Sequence, residues 1–198
     1  MTAEVLLHWL PLGAGGHVVA FNGRVYEALC ARHEHRPPTP LFHAALSVRV
    51  GSVGHVIEMG PAWGNASAER GVVVEGPVGL RALGRSRMFR YEVRAWRDGV
   101  IPDLAYAVGG PVVVSHDPAQ AARLLALVPE VPPLTWGRDE LGLGEMWNSN
   151  SVIAWLLLAS GHDLEHIGPP DQGRAPGWAS GVSLAGRPVG SLRARARG

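Results

Sequence analysis

Trp147-Asn148-Ser149-Asn150-Ser151-Val152-Ile153-Ala154-Trp155-Leu156-Leu157-Leu158 is a polar turn running without a break into an apolar helix. Val152, Ile153, Trp155, Leu156 and Leu157 leave almost no polar face, so the rest of the chain must enclose this helix. Gly161 stops it. Ser149 or Asn150 can supply the N-cap, because a short side-chain oxygen accepts from the unpaired amides of a first turn. A hydroxyl there also feels the positive end of the helix dipole, which suits a nucleophile. Capping alone accounts for the same residues and is the simpler reading.

A helix with no polar face needs a sheet to lie on, and the upstream sequence supplies one. Leu41–Val50 alternates, with Phe42, Ala44, Leu46, Val48 and Val50 on one face and His43, Ala45, Ser47 and Arg49 on the other. Gly51–Gly54 turns the chain, and His55–Met59 returns it, so His55 lies at the far end of the hairpin from His43. Gly71–Glu75 reads as a third strand. Met88–Arg97 alternates with Phe89, Tyr91, Val93 and Ala95 inward and Arg90, Glu92 and Arg94 outward, the pattern of a half-exposed antiparallel strand. Val112–Val114 is a further short strand. Before these lie an apolar N-terminal strand or short helix and a helix running through Tyr26 to about Arg32. After them, Ser115–Pro118 caps a helix over residues 119–128. The sum is a single α+β domain, residues 1–190, in which an antiparallel sheet packs against helices. Residues 191–198 form a basic C-terminal tail. The segment from His162 onward reads as irregular, rich in Gly, Pro and Arg.

Composition excludes several chemistries. All 18 basic residues are arginine, so a Schiff-base lysine, a phosphate-loop lysine and a Ser-Lys dyad are absent. The same bias toward Arg, Ala, Gly and Val suggests a GC-rich bacterial source. The single cysteine, Cys30, cannot form an internal disulfide, which suggests a cytoplasmic setting. We read it as a small core residue. The net charge of +1 gives no general pull toward nucleic acid or anionic membrane. Arg81, Arg85 and Arg87 read as a solvated face, with an anion-binding edge as the alternative. No stretch has the length of a membrane span, and no cofactor motif occurs; the Leu12–Gly16 turn lacks the phosphate-loop pattern.

Two chemistries remain. Acyl transfer by a hydroxyl needs a base beside it and donors for the oxyanion. Ser149 at the helix start and His43 at a strand end are the candidates, with Asn148 or Asn150 holding the groups. The nine histidines are scattered; His33 with His35, and His162 with His166 four residues on, are the only spacings that suit a metal, and we assign no metal site.

Three segments together resemble a known family. Trp147–Val152 resembles the Trp-Pro-Gly-Pro-Asn-Ser-Asn-Thr-Phe signature of an uncharacterised bacterial family. Phe42-His43-Ala44-Ala45 is similar to that family's His-Ser-Trp strand. Arg97-Asp98-Gly99, with Pro102-Asp103 and Tyr106, is similar to its central Arg, Pro-Asp and Trp-Tyr-Gly segment. The resemblance spans about residues 20–180, and Glu145-Met146 departs from it by replacing a Gly-Pro. That family is distantly similar to the circularly permuted NlpC-type papain-like fold, which includes lecithin–retinol acyltransferase. The resemblance implies a permuted papain-like fold, with His43 at the base position, Ser149 where those enzymes carry cysteine, and Asn148 before it. Two functions follow. One is a hydrolase or acyltransferase acting on an amide or ester. The other is an inactive binding protein for a small molecule or peptide, in which Ser149 and Asn150 are a cap and Trp63, Trp96 and Trp147 line an aromatic cleft. Oligomeric state is left open.

Overall fold

The computed structural model describes residues 2–13, 17–62, 71–142 and 144–187. The elements in chain order are β1 (Ala3–Pro11), α1 (His17–His33), β2 (Phe42–Val50), β3 (Val53–Pro61), β4 (Val72–Pro77), β5 (Arg90–Arg97), β6 (Val112–Ser115), α2 (Pro118–Leu127), α3 (Ser149–Ala159) and α4 (Trp178–Ala185). The strands form one antiparallel sheet in the order β4-β5-β3-β2-β1-β6. The class is α+β, as the alternation of the strands implies. The N-terminal segment is a strand, and it lies next to the middle of the sheet because Val5, Leu7 and Trp9 bury completely on the core face.

α2 and α3 cover that face, and α4 packs on α3. Val152, Ile153, Trp155, Leu156 and Leu157 are all fully buried. Their gross transfer free energy is about 10 kcal/mol before entropy is subtracted. α2 begins as its sequence dictates: Asp117 accepts from the Ala119 amide at 2.7 Å and Pro118 takes the first helical position. α3 ends at Ala159, and Gly161 follows with φ of 90°, a left-handed conformation that favours glycine. α4 was not expected. Its small residues explain both its invisibility and its place, since a Cβ on Gly181 would overlap the Ser151 carbonyl of α3.

β3 stays beside β2 only from Leu46↔Ile57 to Val50↔Val53, then follows β5 as far as Pro61↔Tyr91. The first residues of β2 therefore have no strand neighbour on that side. His55 pairs with Val48 and His43 with Leu10, so the two histidines are at opposite ends of β2, as expected.

β5 corrects the half-exposed reading. Tyr91 and Val93 face the core, but Glu92 and Arg94 on the other face are also buried. Arg94 donates to Glu92 at 2.9 and 3.1 Å, to Glu58 at 2.9 Å, and to the Pro61 carbonyl at 3.2 Å. Arg87 adds a contact to Glu92 and a bond to the Ala62 carbonyl at 3.2 Å. Alternation locates a second face; it does not say whether that face meets water. This network holds the chain at residues 61–62. Arg94→Met strands Glu58 and leaves Glu92 with only the long Arg87 contact, and should cost about 3–5 kcal/mol in urea unfolding. A change below about 1 kcal/mol would mean that the network carries little of the fold.

Candidate functional site

The start of α3 is held by three segments that are distant in sequence. Asn148, in an extended conformation, is the N-cap, not Ser149 or Asn150. Its side-chain oxygen accepts from the amides of Asn150 at 2.9 Å and Ser151 at 3.3 Å. The Ser151 hydroxyl returns the bond by accepting from the Asn148 amide at 3.1 Å, which closes a capping box. Cap choice is decided by which residue leaves the helical conformation, and the extended Asn148 backbone places the cap one residue earlier than expected.

Asn150 does something else. Its carboxamide oxygen accepts from the Ala44 amide at 2.8 Å. Its nitrogen donates to the carbonyls of Phe42 at 3.0 Å and Pro176 at 2.9 Å. Phe42 and Ala44 flank His43 on the stretch of β2 that β3 has left. The Asn150 side chain takes the place of a missing strand there, and Arg174 completes it by accepting from the Phe42 amide at 2.8 Å. The segment around Pro176 is a strap across the helix start. Asn148 Nδ2 also donates to the Pro176 carbonyl, at 2.8 Å, and the Ser151 hydroxyl donates to Gly177 O at 2.7 Å. Gly177 must be glycine: φ is 87° and a Cβ would overlap Asn148. Glu145 accepts from the amides of Gly177 and Ala179 and so caps α4.

A cavity of about 370 Å³ opens beside this junction, where β3 diverges from β2. His43, Ser149, Asn148 and Asn150 all line it. Its walls are mostly apolar, with Leu41, Phe42, Pro61, Val78, Trp136 and Met146 among the lining residues. Trp136 is fixed edge-on to Tyr91 with ring centroids 6.0 Å apart, and its backbone bridges both Val78 and Trp147. Tyr26 reaches the cavity from α1, and burial, with a bond to Cys30, pushes its phenol up to about 12.

Burial holds the His43 imidazole below its ordinary 6.5, with the Asp103 carboxylate pulling weakly the other way. The ring is therefore neutral at neutral pH and able to accept a proton. Ser149 is the first residue of α3. Among the described residues neither its hydroxyl nor its amide has a hydrogen-bond partner, and the hydroxyl is not bonded to His43. The structure thus gathers His43, Asn148, Ser149 and Asn150 into one cavity, while both asparagines spend their side chains on the fold.

The aromatic residues are arranged differently. Trp147 is buried in the main core, and Trp96 packs on the opposite sheet face with Leu10, Ala45, Val56 and Ile101. The two do not form a cleft; strand parity and the turn before α3 point them into separate layers. Trp63 lies outside the described residues, as do residues 14–16 and the 191–198 tail. Cys30 is half-buried. Met146, Trp136 and Pro176 were missed because each sits in an irregular stretch with no periodicity to read. The His162–His166 stretch is not helical, so its spacing does not align two rings; His162 is buried and bonds Ser160 and the Leu157 carbonyl. Among the described residues no group of three metal-ligating side chains occurs.

No family model matches the chain, and no curated protein or solved structure does.

Asn150→Ala leaves the Phe42 carbonyl and the Ala44 amide without their partner and the Pro176 carbonyl with Asn148 alone, and should cost about 3 kcal/mol. Asn148→Ala should cost about 1–2 kcal/mol as a lost cap, and Ser149→Ala under about 0.5 kcal/mol. Urea midpoints of the three variants check the order; equal losses at 149 and 150 would contradict it. Burial also holds His8 and His162 below 6.5. All three histidines bind protons more readily unfolded than folded. Stability should be full above about pH 6.5 and should fall as pH drops through it toward the lower folded values. A flat or rising urea midpoint from pH 7 to about pH 5 would contradict this.

Proposed function

We propose that the protein binds a small apolar molecule, or an apolar side chain of a peptide, in the cavity between β2, β3 and the start of α3. The observation that carries this reading is the cavity itself: a mostly apolar wall enclosing about 370 Å³, with a few polar groups gathered at the helix start. The Ser149 hydroxyl and amide and the neutral His43 ring are the groups left to orient the ligand's polar end. Asn148 and Asn150 build the pocket rather than serve the ligand, since their bonds are already made.

A second reading is favoured by one observation, that Ser149 and neutral His43 open onto the same cavity. In a hydrolase or acyltransferase of permuted papain-like type, the Ser149 hydroxyl attacks an ester or amide carbonyl and passes its proton to His43. The Ser149 amide then donates to the oxyanion. The hydroxyl and the ring would first have to come into hydrogen-bond reach, as they often do only when substrate binds. Both readings fit a bacterial, cytoplasmic protein with one cysteine and no lysine. No helix among the described residues is long and apolar enough to cross a membrane.

The two readings separate in one set of experiments. An apolar fluorophore such as anilinonaphthalene sulfonate should bind the wild type and Ser149→Ala alike, quenching Trp136. It should be excluded by Met146→Trp, which fills the cavity. A fluorophosphonate probe should leave the wild type unlabelled. Labelling lost in Ser149→Ala would establish the enzyme reading instead. Fluorophore binding that Met146→Trp does not change would remove the cavity from consideration.

A further inference from the structure

Between Gly76 and Tyr91 the chain carries four arginines and no acidic residue. This stretch leaves β4 through two short 3-10 turns, Arg81–Arg85 and Arg87–Phe89, before entering β5. Past Val78, its large apolar side chains do not turn inward. Met88 is 67% exposed, Leu80 51%, Leu83 39% and Phe89 38%. Val72 and Val73 on the neighbouring β4 are exposed as well. Neither 3-10 turn has a buried residue. Exposing four large apolar side chains between residues 80 and 89 gains a monomer in water nothing.

The pattern also says what the surface meets. Each of the four apolar side chains has an arginine within two positions. The stretch has no acidic residue, so the only charged groups between its apolar side chains are guanidinium groups. It suits the interface of a bilayer, where apolar side chains enter among the acyl chains and guanidinium groups reach the headgroup phosphates. Arg85 has no ion-pair partner among the described residues. Arg81 makes one long contact, at 3.5 Å to Glu140, and a guanidinium has five N–H donors to share, whereas Arg87 is held by Glu92 at 3.4 Å and the Ala62 carbonyl at 3.2 Å. Arg90 reaches Glu75 at 3.0 Å and steadies the base of the turn.

We propose that the ledge formed by residues 80–90 is a membrane-docking surface. Leu80, Leu83, Met88 and Phe89 insert shallowly into an anionic bilayer, and Arg81 and Arg85 bind its phosphates. The ledge begins at Gly79, whose amide and carbonyl bond Trp136 and Arg138, so docking sets one wall of the cavity beside the membrane surface. The surface does not depend on what the cavity holds or on whether Ser149 reacts.

The test is co-sedimentation of the full chain with vesicles of phosphatidylcholine alone and of phosphatidylcholine with phosphatidylglycerol. We expect binding to the anionic vesicles, release by raised salt, and little binding to phosphatidylcholine alone. Arg85→Ser should lower the partition coefficient about fivefold, the weight of one arginine at an anionic surface. Leu83→Ser with Met88→Ser should lower it at least about tenfold. Both sites are exposed, so thermal melts of these variants should match the wild type. Absence of binding to the anionic vesicles overturns the proposal, as does binding that the folded variants retain. A concentration-dependent dimer, seen by light scattering and abolished by the same substitutions without any vesicle binding, also overturns it and assigns the ledge to self-association.

Discussion

The carboxamide of Asn150 is the contact on which the site depends. One buried side chain satisfies the Ala44 amide and the carbonyls of Phe42 and Pro176. Each of those backbone groups lies where no strand can reach it. Left unpaired out of water, each would oppose folding by about 1–3 kcal/mol. A β-strand could have paired Phe42 and Ala44, but it would have filled the space beside them. An amide on a helix end meets the same bonding requirement and leaves the space open. The cavity and the anchor thus have one cause, the departure of β3 from β2 after Leu46↔Ile57.

That departure is itself maintained from both ends. On the β5 side, Glu58, Glu92 and Arg94 form a buried ionic layer that grips the carbonyls of residues 61 and 62, with Arg87 joining it. On the helix side, the Pro176 strap joins Asn148, Asn150 and Ser151 to the start of α4, and Glu145 caps α4 from the turn before α3. These contacts fix the positions of His43 and Ser149 without using either residue. The two side chains nearest the candidate chemistry are the ones the fold leaves uncommitted, which is what a binding or reacting group requires.

Much of the frame was legible in the sequence. The apolar run from Val152 to Leu157, the two faces of β2, the hairpin at residues 51–54 and the Asp117-Pro118 start of α2 all follow from periodicity and capping chemistry. His43 and Ser149 were named from residue type and position, and they do line one cavity. What was not legible has a common physical origin: it depends on contacts far apart in the chain. Alternation on β5 could not reveal that Glu92 and Arg94 were buried, because their cover comes from β3 and residues 61–62. Asn150 looks like any polar residue in a first turn until Phe42 and Ala44 are beside it, 108 and 106 positions away. α4 went unread because its small residues, Gly181 among them, serve close packing on α3 and carry little hydrophobic signal. Trp96 and Trp147 have the composition of a cleft but stand in different layers of the fold.

The most direct measurement is amide hydrogen exchange at Ala44. The account predicts that this amide, although no strand pairs with it, is as strongly protected as that of Leu46 in the centre of the sheet. Asn150→Ala should then abolish much of that protection while Val5 and Leu7 on β1 keep theirs. An Ala44 amide that exchanges in the wild type as fast as an exposed sheet edge would contradict the account.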